Sequence, residues 1–346
     1  MNLFTRLERI VVDRIWKYDS LINKLLRPVS WVYLIIHLIN FTFRYKKKAK
    51  IPVVCVGNLT SGGSGKTPLV LAIATIIKHY KKNLAFIGHG YKAHILKDNL
   101  YAVVDLKKHN AYDVGDEAML LSQLAPTYVS KKRMVSILAA QADDMEIVIL
   151  DDGFQDGSVY KDLSILVVDS EYIFGNGLLL PAGPLRELPV FALRRADLIF
   201  ISGINKEKIE DTINFIIMTF SKSVVDLKSK ISSCIITPQN LQELKEKDFF
   251  AIIGIAHPAK FLNLAKKYAI NIKENFIFSD HYVFDAPALD LIYSKAIASN
   301  CEVITSSKDF TRLPEKYKKL TKVIEIRADI LDSKLIEFLR NQIGLD

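Results

Sequence analysis

Apolar side chains near the N-terminus recur in steps of three and four: Phe4, Leu7, Val11, Ile15, Tyr18, Ile22 and Leu25. That is the period of one helix face, with Arg6, Arg9, Arg14, Lys17, Lys24 and Arg27 lying off the line. Pro28 is expected to interrupt this helix or to begin a second one. Residues 29–43 (VSWVYLIIHLINFTF) then carry no charge, and Arg44, Lys46, Lys47, Lys48 and Lys50 follow. At ~1.5 Å per residue this run is about 23 Å long, short of the roughly 30 Å core of a bilayer. Ser30, Tyr33, His37, Asn40 and Arg44 place a polar stripe along it, and basic residues flank both ends. A span would carry one basic flank across a membrane, against the positive-inside tendency. A helix lying in the interface meets the whole pattern, with its lysines on anionic headgroups at about 1 kcal/mol per charge. A true span and a pair of ordinary core helices are the alternatives. The long basic stretch before the apolar run, with no small-residue cleavage site after it, argues against a signal peptide.

Beyond residue 50 the period changes. Short apolar runs that read as strands (51–56, 84–88, 101–104, 127–129, 163–168, 197–201) alternate with helical stretches such as 69–80, 117–124 and 206–220. The pattern predicts an α/β fold: a mainly parallel sheet with helices on both faces, binding ligands at the carboxyl ends of its strands. A stretch rich in Ser and Lys, 221–233, leads to a smaller α/β unit with strands at 249–255 and 302–305 and helices at 259–268 and 330–343. The expected division is an N-terminal helical arm (1–50), a main domain (51–225) and a smaller C-terminal domain (226–346).

The formal net charge of +9 over 346 residues suggests nucleic acid or an anionic membrane as partner. Its location decides between them. Residues 1–50 hold 11 Lys/Arg and 3 Asp/Glu, a net of +8, while the remaining 296 hold 36 and 35, a net of +1. The body is neutral and the basicity belongs to the arm, which speaks against a nucleic-acid groove. Cys55, Cys234 and Cys301 are too few for a disulfide scaffold and lack metal spacing.

The strand at 51–56 (IPVVCV) runs into GNLTSGGSGKT (57–67), followed by a helix. Strand, Gly-rich loop, Gly-Lys-Thr and helix form the setting of a phosphate loop. Thr60, Ser61, Gly62, Gly63, Ser64 and Gly65 would turn backbone N–H groups onto phosphates at a helix N-terminus. Lys66 would reach the β- and γ-phosphates and Thr67 would ligate Mg²⁺. Thr60 stands where the usual pattern has Gly. The hydrophobic strand 147–150 closes on Asp151 and Asp152, where an acidic residue would hold Mg²⁺. Two adjacent carboxylates there repel unless a cation is present. Asn205-Lys206-Glu207-Lys208 imitates the guanine-reading Asn-Lys-x-Asp, but Lys208 cannot accept hydrogen bonds from guanine. Asn205 reads better as a helix cap, which favours ATP over GTP.

Several strings together make the chain similar to the tetraacyldisaccharide 4′-kinases, which phosphorylate the lipid A precursor. They are VGNLTSGGSGKTP (56–68), VGDEAMLL (114–121), ILDDGFQD (149–156), GNGLLLPAGPLRE (175–187), FSDHYVF (278–284) and ITSSKD (304–309). The resemblance spans nearly the whole chain, and its family also starts the phosphate loop with Thr. The chain departs from the family in Asp156 for His after LDDGFQ, in Gly88-His89 for Ser-Arg, and in Ser306-Ser307 for Thr-Glu. The resemblance implies a phosphate-loop nucleotide-binding fold and transfer from ATP, with Mg²⁺, to the 4′-hydroxyl of a tetraacyldisaccharide 1-phosphate. It implies a peripheral enzyme on the cytoplasmic face of the inner membrane, where the basic arm would dock. Lys66 and the metal side (Thr67, Asp151, Asp152, with Glu117 holding metal or orienting its neighbour) would neutralise charge. Asp116 would receive the acceptor proton, with His281, from the family's Asp-His motif, holding or relaying it. The 165 positions between them would then require the two domains to close on each other. Gln155, Arg186 and Glu187 fall on the substrate side, Arg186 as a grip on a phosphate. Two other classes compete: a membrane-tethered regulatory ATPase or GTPase, and a nucleic-acid binder. His79, His94, His109 and His257 lack a motif and read as surface or satisfied histidines.

Overall fold

In the computed structural model the described residues are 16, 21–43, 45–62, 65–90 and 93–345. The periodic segment 4–20, apart from residue 16, and the loop residues Gly63 and Ser64 lie outside them. Nine strands form one sheet: β1 (Val53–Asn58), β2 (Leu84–Gly88), β3 (Tyr101–Val103), β4 (Thr127–Ser130), β5 (Ile147–Asp151), β6 (Leu163–Asp169), β7 (Leu198–Gly203), β8 (Ile231–Pro238) and β13 (Ile326–Ile330). Four form a second: β9 (Asp248–Ile253), β10 (Asn271–Ile277), β11 (Glu302–Ser306) and β12 (Thr321–Ile324), in the order β10-β9-β11-β12 and all parallel.

The large sheet runs β13-β8-β7-β6-β1-β5-β2-β4-β3, parallel except for β3 and β13 at its edges. Strand order reverses beside β1, so the switch point lies at the end of the strand that feeds the phosphate loop. Period-two alternation divides the core. Val54 and Val56 join the cluster under α2 (Lys66–His79) and α9 (Lys334–Ile343), while Val53 and Cys55 join the cluster on the other face. Helices α4 (Arg133–Ala142) and α5 (Lys206–Phe220) contribute to that second cluster. Helix α5 begins where Asn205 accepts from the Glu207 N–H at 2.9 Å, the cap expected from the sequence.

Sheet membership does not follow the expected division at residue 225. Ile231–Pro238 and Ile326–Ile330 complete the large sheet, and α9 packs on its face. The smaller sheet is built from the chain between these two strands.

One correction concerns the arm. Helix α1 (Leu21–Phe43) runs through Pro28 without a break. Pro28 sits two turns in, and what holds the helix beyond it is tertiary. Ser30 Oγ donates to the Leu179 carbonyl (2.9 Å) and Tyr33 Oη to the Arg186 carbonyl (2.9 Å). The polar stripe read from the sequence is therefore, at Ser30 and Tyr33, the seam that seats α1 on the body. Leu21, Leu25, Val29, Val32, Ile36 and Ile39 on its other faces are each more than half exposed. Leu21–Thr42, with a mean hydropathy of 1.3, is the one helix among the described residues long and apolar enough to cross a membrane.

Candidate active site

The carboxyl ends of the strands in both sheets open into one cavity of about 2030 Å³. On the large-sheet side the buried strand β1 ends at Asn58, and the chain turns through the loop into α2. Gly65 caps α2 in the left-handed conformation (φ 75°), which a side chain would resist. Lys66 is only 8% exposed. Its Nζ donates to Asn58 Oδ1 (2.9 Å) and pairs with Asp152 Oδ1 (2.9 Å).

The two aspartates differ in role. Register places Asp151 beside Val56 of β1, and the next residue, Asp152, turns left-handed at φ 56°. Arg186 Nη1 grips both Asp152 oxygens at 2.8 and 2.9 Å. Burial would raise the Asp152 carboxyl, but the Lys66 and Arg186 charges outweigh it and hold it well below the usual range. Asp151 is 5% exposed, lines the cavity, and its Oδ1 has no hydrogen-bond partner. Burial, then the Glu117 charge, push its pKa up to about 7. A buried, unpartnered carboxylate oxygen facing phosphate space fits a divalent cation. Among the described residues no group of three or more His, Cys, Asp or Glu could hold a metal alone. That suits Mg²⁺, which takes one or two carboxylates and draws other ligands from phosphates and water.

This arrangement has a measurable consequence. Between the unfolded pKa of about 3.9 and the folded value of about 7, the native state binds the extra proton. Without divalent cation, the Asp151 contribution should therefore lower stability as pH rises through that window. Asp151→Asn should melt several degrees higher than the parent at pH 8 in chelator, and the advantage should vanish at pH 4. Equal melting temperatures at pH 8 would contradict this account of Asp151.

Across the cavity, α3 (Asp116–Leu121) starts after Gly115, and Asp116 Oδ1 accepts from the Glu117 N–H at 2.9 Å. The smaller sheet brings His281, in the loop after β10, to Asp116: Nδ1 to Oδ2 is 3.0 Å. His281 also holds a left-handed backbone (φ 56°), uncommon for a residue other than glycine. Helix α8 (Ser307–Arg312) adds Lys308, 3.2 Å from Glu117 Oε1, and Arg312, 3.4 Å from Asp116 Oδ2. Burial opposes ionisation of Asp116, yet the His281 hydrogen bond and the Lys308, His281 and Arg312 charges hold its carboxyl far below the usual range. Asp116 is thus a full carboxylate at neutral pH.

The structure sorts the remaining expected residues. Thr67, Ser61, Gly62 and Gly65 line the cavity, as do Gln155 and Arg186. Thr60 is buried and bridges to Leu185. Glu187 does not line the cavity: it is 2% exposed, binds Arg195 through both oxygens (2.7 Å each) and accepts from Gln155 (2.9 Å). Its place is structural. Arg195 lies over both Phe154 and Phe41, tying the site to α1. Asp156, the departure after LDDGFQ, binds Arg133 at 3.0 Å. Sequence reasoning missed Asn58, which lies beside Lys66 across the same loop, as well as Arg133, Lys308 and Arg312, of which Lys308 meets Glu117 across 191 positions. It also read His257 as unremarkable. His257 heads α6 (Pro258–Lys267) and lies against the loop, where a Cβ on Gly62 would come 2.8 Å from its Nε2. Burial, then the Lys260 charge, push its pKa down to about 4, so it is neutral there.

A switch ATPase needs only water opposite its phosphate loop. A paired carboxylate and imidazole, lining the same cavity from the other side, suit a phosphate-loop phosphotransferase that deprotonates a hydroxyl acceptor. Comparison with known proteins makes the class specific. Residues 22–344 match the model of the tetraacyldisaccharide-1-P 4′-kinase family. A tetraacyldisaccharide 4′-kinase of Paramagnetospirillum magneticum is 32% identical over 330 residues, 95% of this chain and 98% of that one. One from Rickettsia bellii is 30% identical over 306 residues, covering 88% and 90%. The crystal structure of the "apo" form of LpxK from Aquifex aeolicus in complex with ATP superposes with a TM-score of 0.72 at 26% identity, over 93% of this chain and 100% of that one. The chain belongs to the tetraacyldisaccharide-1-P 4′-kinase family.

Proposed function

We propose that the chain transfers the γ-phosphoryl group of ATP to the 4′-hydroxyl of a tetraacyldisaccharide 1-phosphate at a membrane surface. The observation that carries this reading is the pairing of His281 with Asp116 in the cavity that the phosphate loop lines.

The loop and Lys66 bind the ATP phosphates and balance charge on the moving group. Thr67 and Asp151 would hold Mg²⁺, which when bound draws charge off the phosphates. Arg186, fixed by the Leu59 carbonyl and by Asp152, stands ready for a phosphate oxygen. Gln155, donating to the Asn58 carbonyl at 2.8 Å, orients groups on the acceptor side. The acceptor oxygen bonds to phosphorus as the bond to ADP breaks, and its proton passes to the Asp116–His281 pair.

The acceptor is acylated, and α1 offers a matching surface. Its exposed apolar face would enter one leaflet, and Lys46, Lys47, Lys48 and Lys50 would meet anionic headgroups on the cytoplasmic side of the inner membrane. Replacing Val32 and Ile36 together by Asp should cut co-sedimentation with anionic vesicles at least ~10-fold, given ~0.8 kcal/mol per buried CH₂. Unchanged binding would remove α1 from the docking surface.

To test the reaction, the protein is mixed with ATP, Mg²⁺ and the lipid in detergent micelles, and the lipid is weighed by mass spectrometry. It should gain one phosphoryl group. ATP hydrolysis with unaltered lipid would favour the regulatory ATPase.

A further inference from the structure

We propose that Lys308 is a positioning residue for phosphoryl transfer, holding Glu117 and through it the Asp116–His281 pair in working geometry. The inference rests on the kinase reading above and extends it to a residue of the Ser-Ser-Lys-Asp string that the proposed mechanism leaves unused.

Lys308 and Arg312 lie four apart on α8 and so share one face. That face meets the first turn of α3, Lys308 on Glu117 and Arg312 on Asp116. The two contacts differ in kind. Arg312 is fixed: it donates to the Gly254 carbonyl (2.8 Å) and the Tyr282 carbonyl (3.1 Å), and pairs with Asp309. Asp309 is itself anchored by the Ser306 hydroxyl at 2.7 Å. Lys308 projects from this frame on a flexible stem into the cavity, with its side chain 24% exposed. Its ammonium is the cation that the smaller domain presents to Glu117, and its charge also bears on Asp116, Asp151 and Asp280.

The link from Glu117 to the proton acceptor is short. Glu117 follows Asp116 in the same helical turn, and its N–H binds Asp116 Oδ1, leaving Oδ2 for His281. A Glu117 freed from Lys308 is repelled by Asp151, whose carboxyl it already disfavours. Losing the Lys308–Glu117 tether frees the first turn of α3, which carries both the Glu117 N–H and the Asp116 carboxylate that meets His281. Lys308 therefore acts from the second domain, only when the cleft brings α8 onto α3. It would tie closure to alignment of the proton acceptor, separate from nucleotide binding at Lys66 and Thr67.

The test compares the full-length protein with Lys308→Met, Lys308→Arg, Glu117→Gln and the double variant Lys308→Met/Glu117→Gln, using ATP, Mg²⁺ and the lipid acceptor. Lys308→Met should lower kcat by roughly 30–100-fold with KM for ATP changed less than ~3-fold. Lys308→Arg should recover most of the rate, because it keeps the charge. Glu117→Gln should reproduce the loss, and the double variant should lose less than ~3-fold beyond the worse single one. Should the methionine variant melt early, the arginine variant decides, since it must keep both fold and rate. A kcat for Lys308→Met near the parent value, a rise in KM alone, or losses that multiply in the double variant would overturn the proposal. A parent protein that transfers nothing to the lipid would instead overturn the kinase reading, and this inference with it.

Discussion

Lys66→Ala should lower kcat for lipid phosphorylation by at least ~10³-fold, the loss of about 4 kcal/mol of charge stabilisation in the transition state. The structure explains why no neighbour can substitute. Lys66 is buried and aimed by two contacts, the Asn58 carboxamide and the Asp152 carboxylate. Arg186 shares Asp152 but enters from the opposite loop and is held by both carboxylate oxygens. Removing the ammonium leaves Asp152 with Arg186, so the fold should survive with a modest fall in melting temperature. The separation of large kinetic and small stability effects is the informative result. Lys66→Arg should fare little better, because a planar guanidinium does not reproduce the point charge that Lys66 sets between Asn58 and Asp152. A Lys66→Ala protein retaining a tenth of the parent rate would show that the loop's ammonium does not meet the transferred group.

The second large effect concerns Asp116 and His281. Each alanine variant should lose roughly 10²–10⁴-fold in kcat, the usual worth of general acid–base catalysis. The double variant should fall little further, because the two are one unit joined at 3.0 Å. Stability should divide differently. Removing Asp116 leaves Arg312, with its side chain 7% exposed, one carboxylate (Asp309) where it had two, whereas His281 is more exposed and its loss costs less. Asp116→Ala is therefore expected to melt below His281→Ala at pH 7 while matching it in activity. Losses that multiply in the double variant would mean separate roles for the two side chains.

The parts of the fold that were legible in the sequence carry their signals locally. Leu84–Gly88 and Lys206–Phe220 match their expected bounds to the residue, the latter marked by the Asn205 cap. Asn271–Ile277 was not foreseen as a strand: it lies at the edge of the smaller sheet, buries little, and carries charge. Ile326–Ile330 was missed for another reason. It pairs antiparallel with β8, some ninety residues earlier, and its pattern blends into the helix that follows. The same physics divides the site. The phosphate loop and the paired aspartates are contiguous, so strand, glycines and acids could be read together. His281 joins Asp116 across 165 positions and Lys308 joins Glu117 across 191. No periodicity encodes such pairs; family resemblance reveals the first, and only the folded chain reveals the second. Pro28 taught the reverse lesson, as tertiary hydrogen bonds at Ser30 and Tyr33 carried a helix past a residue that locally should end it.

The proposed reaction needs one cavity to join an ATP site to a hydroxyl acceptor held at a membrane. Single-turnover mixing of enzyme, ATP labelled at the γ-phosphate and tetraacyldisaccharide 1-phosphate tests it most directly. The account predicts that label enters the lipid at the rate ADP forms, one for one, and that both stop in Asp116→Ala. Label released as inorganic phosphate at that rate, with the lipid unlabelled, would contradict it.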